Sequence, residues 1–294
     1  MDLNNCTICP HECGVDRTVK KGVCGADENV RVNIHQLHHW EEPVISGTQG
    51  SGTIFFSHCN LKCVFCQNFE ISQQGHGQHV SVDRLAEMMI ELQEKNAHNI
   101  NLVSPTQYTL QISKALILAK DQGLTIPVVW NSNAYESAET LKKIEGLIDI
   151  YLPDFKYWDD EHAKKYSGIS DYSSYAKSAI LEMYRQVGHL KIHEEIAFRG
   201  IMIRLLVLPE NISGLKNVLS WIHENIGEKT YLSLMGQYYP TFKASEFPEL
   251  SRGITTAEYS EAAQTFGLYG FQNGFIQEVG SSSIYTPNFK NDFI

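Results

Sequence analysis

At 294 residues the chain allows one large domain or two ordinary ones, and a hydrophobic share of 43% is enough for a sizeable core. Its 24 Lys+Arg against 34 Asp+Glu give a formal charge of -10, which argues against broad contact with a nucleic-acid backbone. There is no charged-then-apolar N-terminal segment and no apolar run long enough to span a bilayer, so a cytoplasmic protein without membrane contact is expected.

In a reducing compartment the seven cysteines read as metal ligands or catalytic groups rather than disulfides. Cys6, Cys9, Cys13 and Cys24 form an N-terminal quartet. Four clustered thiols close a tetrahedral zinc site or hold an iron–sulfur cluster, and spacing does not choose between them; scattered unpaired thiols are the bland alternative. Pro10 and Gly14 favour tight turns. The segment is too short and polar to hold a core, so a metal would supply its stability. Val30–His35 alternates as a strand does. His35, His38 and His39 read as ordinary surface or core histidines, and Glu41-Glu42-Pro43 carries no chemistry legible from sequence.

An apolar strand over 53–58 then leads into Cys59-Asn60-Leu61-Lys62-Cys63-Val64-Phe65-Cys66. Three thiolates within eight residues can wrap one face of a cluster. A cubane has four irons, so one iron stays open, as a catalytic site requires. A zinc loop with His58 as fourth ligand is the alternative. Strand and helix alternate from here. Strands are expected at 100–103, 125–130, 148–152, 201–208 and 231–235, and one more at 275–279. Pro127 suggests an edge or bulge. Ser81 caps one helix, Thr255-x-x-Glu258 boxes the last, and further helices fall near 159–166 and 174–186. Residues 280–294 read as a tail.

Six strand–helix pairs argue for a parallel sheet with right-handed crossovers; periodicity leaves open sheet and barrel unresolved. In a barrel, the strand C-termini name the site. Those ends are polar: Ser104-Pro105-Thr106, Asn131-Ser132-Asn133, Asp154 with Lys156 two residues on, and Gln237-Tyr238. Arg204, within an apolar strand, needs a partner. A ligand's carboxylate or Asp154 would serve.

CxxxCxxC after a first strand resembles the radical S-adenosylmethionine (SAM) superfamily. Within it the chain resembles pyruvate formate-lyase activating enzyme and, more closely, its PflX-like paralogues. The matching words are Cys6-Thr7-Ile8-Cys9-Pro10, Gly22-Val23-Cys24-Gly25-Ala26, Glu41-Glu42-Pro43, Cys59 through Asn68, Asn99-Ile100-Asn101-Leu102-Val103 and Tyr151-Leu152-Pro153-Asp154-Phe155-Lys156. The resemblance implies an α/β fold: a partial (β/α)6 TIM-type barrel over 51–280, preceded by a four-cysteine metal-binding segment and linker over 1–50 and followed by a tail over 281–294. It implies a [4Fe-4S] cluster on Cys59, Cys63 and Cys66, whose open iron chelates SAM, with Phe65 near the adenine. SAM contacts would fall on Arg204 and Gln237, backbone carbonyls or the Ser104 and Thr106 hydroxyls would replace those of a word that departs, and Lys156 is a contact candidate by its strand-end position. A monovalent cation would sit on Asn131, Ser132, Asp154 and the Leu152 carbonyl. Two positions depart from the activating enzymes: Gln237 stands for a histidine, and Ser104-Pro105-Thr106 for a Gly-Gly-Glu-Pro word.

The implied activity is reductive cleavage of SAM to a 5′-deoxyadenosyl radical by an oxidoreductase of anaerobic chemistry. An electron donor such as flavodoxin or ferredoxin would feed it, and its target would be a glycyl radical enzyme. Alternatives are radical modification of a small molecule or peptide and, in another class, a non-catalytic iron–sulfur or zinc protein that transfers electrons or binds a partner.

Overall fold

The computed structural model describes residues 1–277, so the expected strand end at 278–279 and the tail at 281–294 lie outside the described residues. The first half runs β1 (Val30–His38), α1 (Pro43–Ser46), β2 (Ser51–Phe56), α2 (Phe69–Ser72), β3 (Gln78–Val80), α3 (Val82–Glu94), β4 (Ile100–Val103), α4 (Thr109–Asp121), β5 (Val128–Ser132) and α5 (Ala138–Lys142). The second half runs β6 (Ile150–Pro153), α6 (Asp160–Ser167), α7 (Tyr172–Val187), β7 (Lys191–His193), β8 (Ile196–Leu206), α8 (Leu215–Asn225), β9 (Tyr231–Met235), α9 (Thr256–Leu268) and β10 (Asn273–Ile276).

The strand order is β10-β9-β8-β6-β5-β4-β2-β1-β3. Pairing is parallel from β2 through to β10, and β1 is antiparallel to both β2 and β3. Among the described residues β10 and β3 do not close on each other, so the barrel is open. Its body is the six expected βα strands. Because β1 pairs with β2, the sheet continues across the domain boundary expected at residue 50.

The first strand runs Ser51–Phe56 rather than 53–58, the fourth Ile150–Pro153 rather than 148–152 and the last Asn273–Ile276 rather than 275–279, and two further departures have a visible cause. The third begins at Val128 rather than 125 and runs to Ser132. It is central, between β4 and β6. Pro127 is tolerated because it precedes the pairing and only accepts, from the Ile100 amide at 2.9 Å. The fifth begins at Ile196, because its N-terminal part turns back antiparallel against the unexpected β7. Ser81 caps α3 by accepting from the Arg84 amide, and the Thr255–Glu258 capping box is formed at α9.

Side-chain alternation divides the strands between two cores. Ile54, Leu102, Trp130, Tyr151, Ile203 and Leu232 join the core under the helices. Val129, Ile150, Leu152 and Met202 face the other way and pack with Val44 and Ile45. The short α1 therefore plugs the barrel interior, after the chain has left β1 and crossed under the strand ends. Ile45 is fully buried there. Ile45→Ala should cost about 2–5 kcal/mol; an unchanged urea midpoint would show that the plug is not part of the cooperative core.

Candidate active site

The C-terminal ends of the parallel strands surround a cavity of about 230 Å³. Cys59, Cys63 and Cys66 line it together with Phe65, Ser104, Asn131, Ser132, Asp154, Lys156, Arg204 and Gln237. Of the sequence-derived contacts, Thr106 alone does not. It lies in a 3₁₀ turn, almost fully buried, and its hydroxyl faces Glu136. The Ser132 hydroxyl also faces Glu136 and accepts from the Ala134 amide at 3.3 Å, so it is turned away from the cavity it borders. Ser104 adopts φ +56°, a region that favours glycine, and its carbonyl accepts from Gln107 Nε2 at 2.8 Å.

The cysteine loop is fastened to its neighbours. Gln107 Nε2 also donates to the carbonyls of Ser57 and His58, both at 3.1 Å. Asn133 Nδ2 donates to Asn60 Oδ1 at 2.8 Å and to Cys59 Sγ at 3.3 Å, and Asn60 Nδ2 to the Tyr135 carbonyl at 2.6 Å. The other sulfurs also meet hydroxyls: Ser167 donates to Cys63 Sγ at 3.0 Å, and Ser72 Oγ lies 3.1 Å from Cys66 Sγ. Phe65 is buried edge-on against Tyr238 and Tyr157, with ring centroids 5.8 and 6.4 Å away. His58 is not near a fourth-ligand position. It lies outside the cavity, and a Cβ at Gly25 or Gly75 would meet its ring.

Beneath the loop lies a chain of charges. Lys156 Nζ donates to Asp154 Oδ2 at 2.8 Å, and Arg204 Nε to Asp154 Oδ1 at 2.6 Å. Arg204 also donates to Asn131 Oδ1 at 2.6 Å and Glu41 Oε2 at 3.2 Å, while Asn101 Nδ2 donates to Glu41 Oε1 at 3.0 Å. Burial works to raise the Asp154 carboxyl, but Arg204 and Lys156 hold it below its ordinary range. Burial raises Glu41 and Glu42 against the pull of Arg204. Both glutamates line the cavity. No local sequence pattern signals this, since the Arg204 contact spans 163 residues. Glu42 is buried as well, with the Ser233 hydroxyl facing its carboxyl.

The family profile described as Radical SAM superfamily matches residues 53–222. The chain belongs to the radical SAM superfamily. It is 33% identical over 277 residues to the uncharacterised protein MJ0674 of Methanocaldococcus jannaschii, covering 91% of this chain and 75% of that one. A second uncharacterised protein of that organism, MJ0808, is 21% identical over 281 residues, covering 86% and 78%. Among solved structures, HydG, a maturase of the [FeFe]-hydrogenase, is similar with TM-score 0.50 and 13% identity over 74% of this chain. This chain spans only 49% of that maturase. Methylornithine synthase (PylB) is similar with TM-score 0.50 and 12% identity, over 78% of this chain and 71% of that one. At these identities the likeness is one of fold.

The superfamily implies a [4Fe-4S] cluster and SAM, and the thiols of this radical SAM protein fit the cluster. Three sulfurs border one cavity, each met by a donor, with the Lys156 ammonium alongside. Burial pushes the Cys63 thiol up to about 11, Lys156 acting against it. Burial raises Cys59 and Cys66 as well. Metal binding therefore displaces protons here. No three His, Cys, Asp or Glu among the described residues gather around a point that a single ion could occupy. The monovalent cation fits poorly: Asp154 already has a cationic side chain on each oxygen, and the Ser132 hydroxyl points elsewhere. The Asp154→Asn variant should keep its cluster iron but bind SAM about 10- to 100-fold more weakly, by loosening Lys156 and Arg204. Unchanged affinity in a binding titration would make Asp154 purely structural.

Proposed function

We propose that this radical SAM enzyme is a PflX-like paralogue of the glycyl radical activating enzymes and abstracts hydrogen from a protein partner. The observation that carries the cofactor reading is the meeting of the three thiols with Lys156, Asp154 and Arg204 around one cavity. The finer reading rests on the sequence words shared with that paralogue, two of which, Glu41-Glu42-Pro43 and Tyr151 through Lys156, supply the charges beneath the cavity.

A bound cluster would supply the single electron for reductive cleavage of SAM, freeing a 5′-deoxyadenosyl group to take hydrogen from the substrate. The chain's own residues do the positioning. Cys59, Cys63 and Cys66 would hold three irons, and donors from Asn133, Ser167 and Ser72 stabilise the sulfur charge. Lys156 presents an ammonium beside the thiols and is itself pinned by Asp154. Phe65 offers an aromatic face at the cavity wall. The α1 plug closes the barrel interior and limits water beneath the reacting atoms.

Glu42 favours a second reading. Its buried carboxyl stands at the cavity wall with only the Ser233 hydroxyl and its own backbone amide as donors, which suits a substrate that brings an ammonium or guanidinium group, in a small molecule or a peptide.

The test is anaerobic reconstitution with iron and sulfide, then reduction with SAM present. Wild-type protein should release 5′-deoxyadenosine, and Cys63→Ala should lose both that product and about four irons. Persistent product from Cys63→Ala would overturn the assignment. Transfer of the radical to a glycyl radical enzyme, read by electron paramagnetic resonance, would separate the first reading from the second.

A further inference from the structure

We propose that the quartet Cys6, Cys9, Cys13 and Cys24 holds a second iron–sulfur cluster through which electrons enter the three-cysteine site. The relay step rests on the reading that Cys59, Cys63 and Cys66 hold a cluster; the metal assignment of the quartet does not.

Two turns bring the four thiols together. The Cys6 amide donates to the Val15 carbonyl at 3.0 Å and the Gly14 amide to the Cys6 carbonyl at 3.1 Å, folding 6–15 onto itself. The Gly22 amide donates to Ala26 and the Gly25 amide to Gly22, both at 2.9 Å, making the turn that carries Cys24. Cys13 and Cys24 flank Gly22: a side-chain atom there would sit 3.4 Å from Cys24 Sγ and 3.7 Å from Cys13 Sγ. Cys6, Cys9 and Cys24 are buried.

The same local turn recurs in both cysteine groups. Amides two residues on face the sulfurs of Cys9, Cys13 and Cys24, as the Leu61 amide faces Cys59 at 3.4 Å. Such donors stabilise sulfur charge and tune cluster potential.

Position argues for the relay. Lys62 Nζ lies 3.4 Å from the Cys24 carbonyl and 3.4 Å from the Cys59 carbonyl, bridging a ligand of each group. His11 Nε2 meets the Asn60 carbonyl at 2.7 Å. Gly25, at φ +94°, lets the backbone approach the His58 ring, where a Cβ would come within 2.8 Å of Nδ1. From behind, the buried Arg17 donates to the carbonyls of Asp27 and Gln107. The quartet is thus locked onto the loop that it would feed. A staple could sit anywhere on the surface; a relay must sit here. In each transfer a one-electron donor of the flavodoxin or ferredoxin class is oxidised by one electron. The quartet cluster gains that electron and passes it on, and the three-cysteine cluster ends one electron more reduced.

The experiment uses the full chain, reconstituted anaerobically. Wild-type protein should carry about eight irons and no zinc, and when reduced should show an electron paramagnetic resonance signal broadened by two neighbouring clusters. Cys24→Ala and Cys63→Ala should each lose about four irons and show one unbroadened signal. Dithionite should reduce the remaining cluster of Cys24→Ala at the wild-type rate, whereas reduced flavodoxin should do so severalfold more slowly. One zinc beside about four irons in wild-type protein would overturn the cluster, and this count needs no variant to fold. Reduction of Cys24→Ala by flavodoxin at the wild-type rate would overturn the relay. Full iron in Cys63→Ala would instead fail the three-cysteine reading.

Discussion

The Arg204 guanidinium is the charge around which the barrel interior is arranged. It sits on a strand whose neighbours Ile203 and Leu205 are buried among helices, and it points inward. A cation there is tolerated only when acceptors surround it. Asp154 from the end of β6, Asn131 from β5 and Glu41 from the crossing before α1 supply them. The need to satisfy one guanidinium thus draws together two strand ends and the N-terminal crossing, and it places two glutamates inside a barrel that would otherwise exclude them. It also places a cationic side chain on each oxygen of Asp154, Lys156 on one and Arg204 on the other.

The cysteine loop depends on that arrangement at one remove. Lys156 reaches the thiols because Asp154 holds it. The loop after β5 carries Asn133, which ties Cys59 and Asn60 to the same strand end. Below, Val44 and Ile45 fill the barrel interior. The cavity thereby has fixed charges along its wall, and the protein's part in radical chemistry is to orient cofactors and exclude stray donors.

What the sequence disclosed was local. CxxxCxxC states its chemistry within eight residues, and the six inner strands show as apolar runs between helical patterns. The rule that sites lie at strand C-termini brought Asp154, Lys156, Asn131 and Gln237 to one cavity without any family knowledge. Contacts across long separations were illegible. Glu41 gives no local signal of the arginine 163 residues away. Thr106 and Ser132 looked like ligands because polar strand ends serve ligands and loop anchoring alike, and here Glu136 takes both hydroxyls. Pro127 misled because a proline matters only where its missing donor would have paired.

The account turns on the iron left open in a cluster that Cys59, Cys63 and Cys66 would hold, and the most direct measurement is electron paramagnetic resonance of the reduced, reconstituted protein before and after SAM is added. If SAM chelates that iron through its amino and carboxylate groups, the cluster signal shifts on addition, and nitrogen-15 or oxygen-17 in those groups couples to it. A cluster signal indifferent to SAM, with no coupling to either label, would contradict the account.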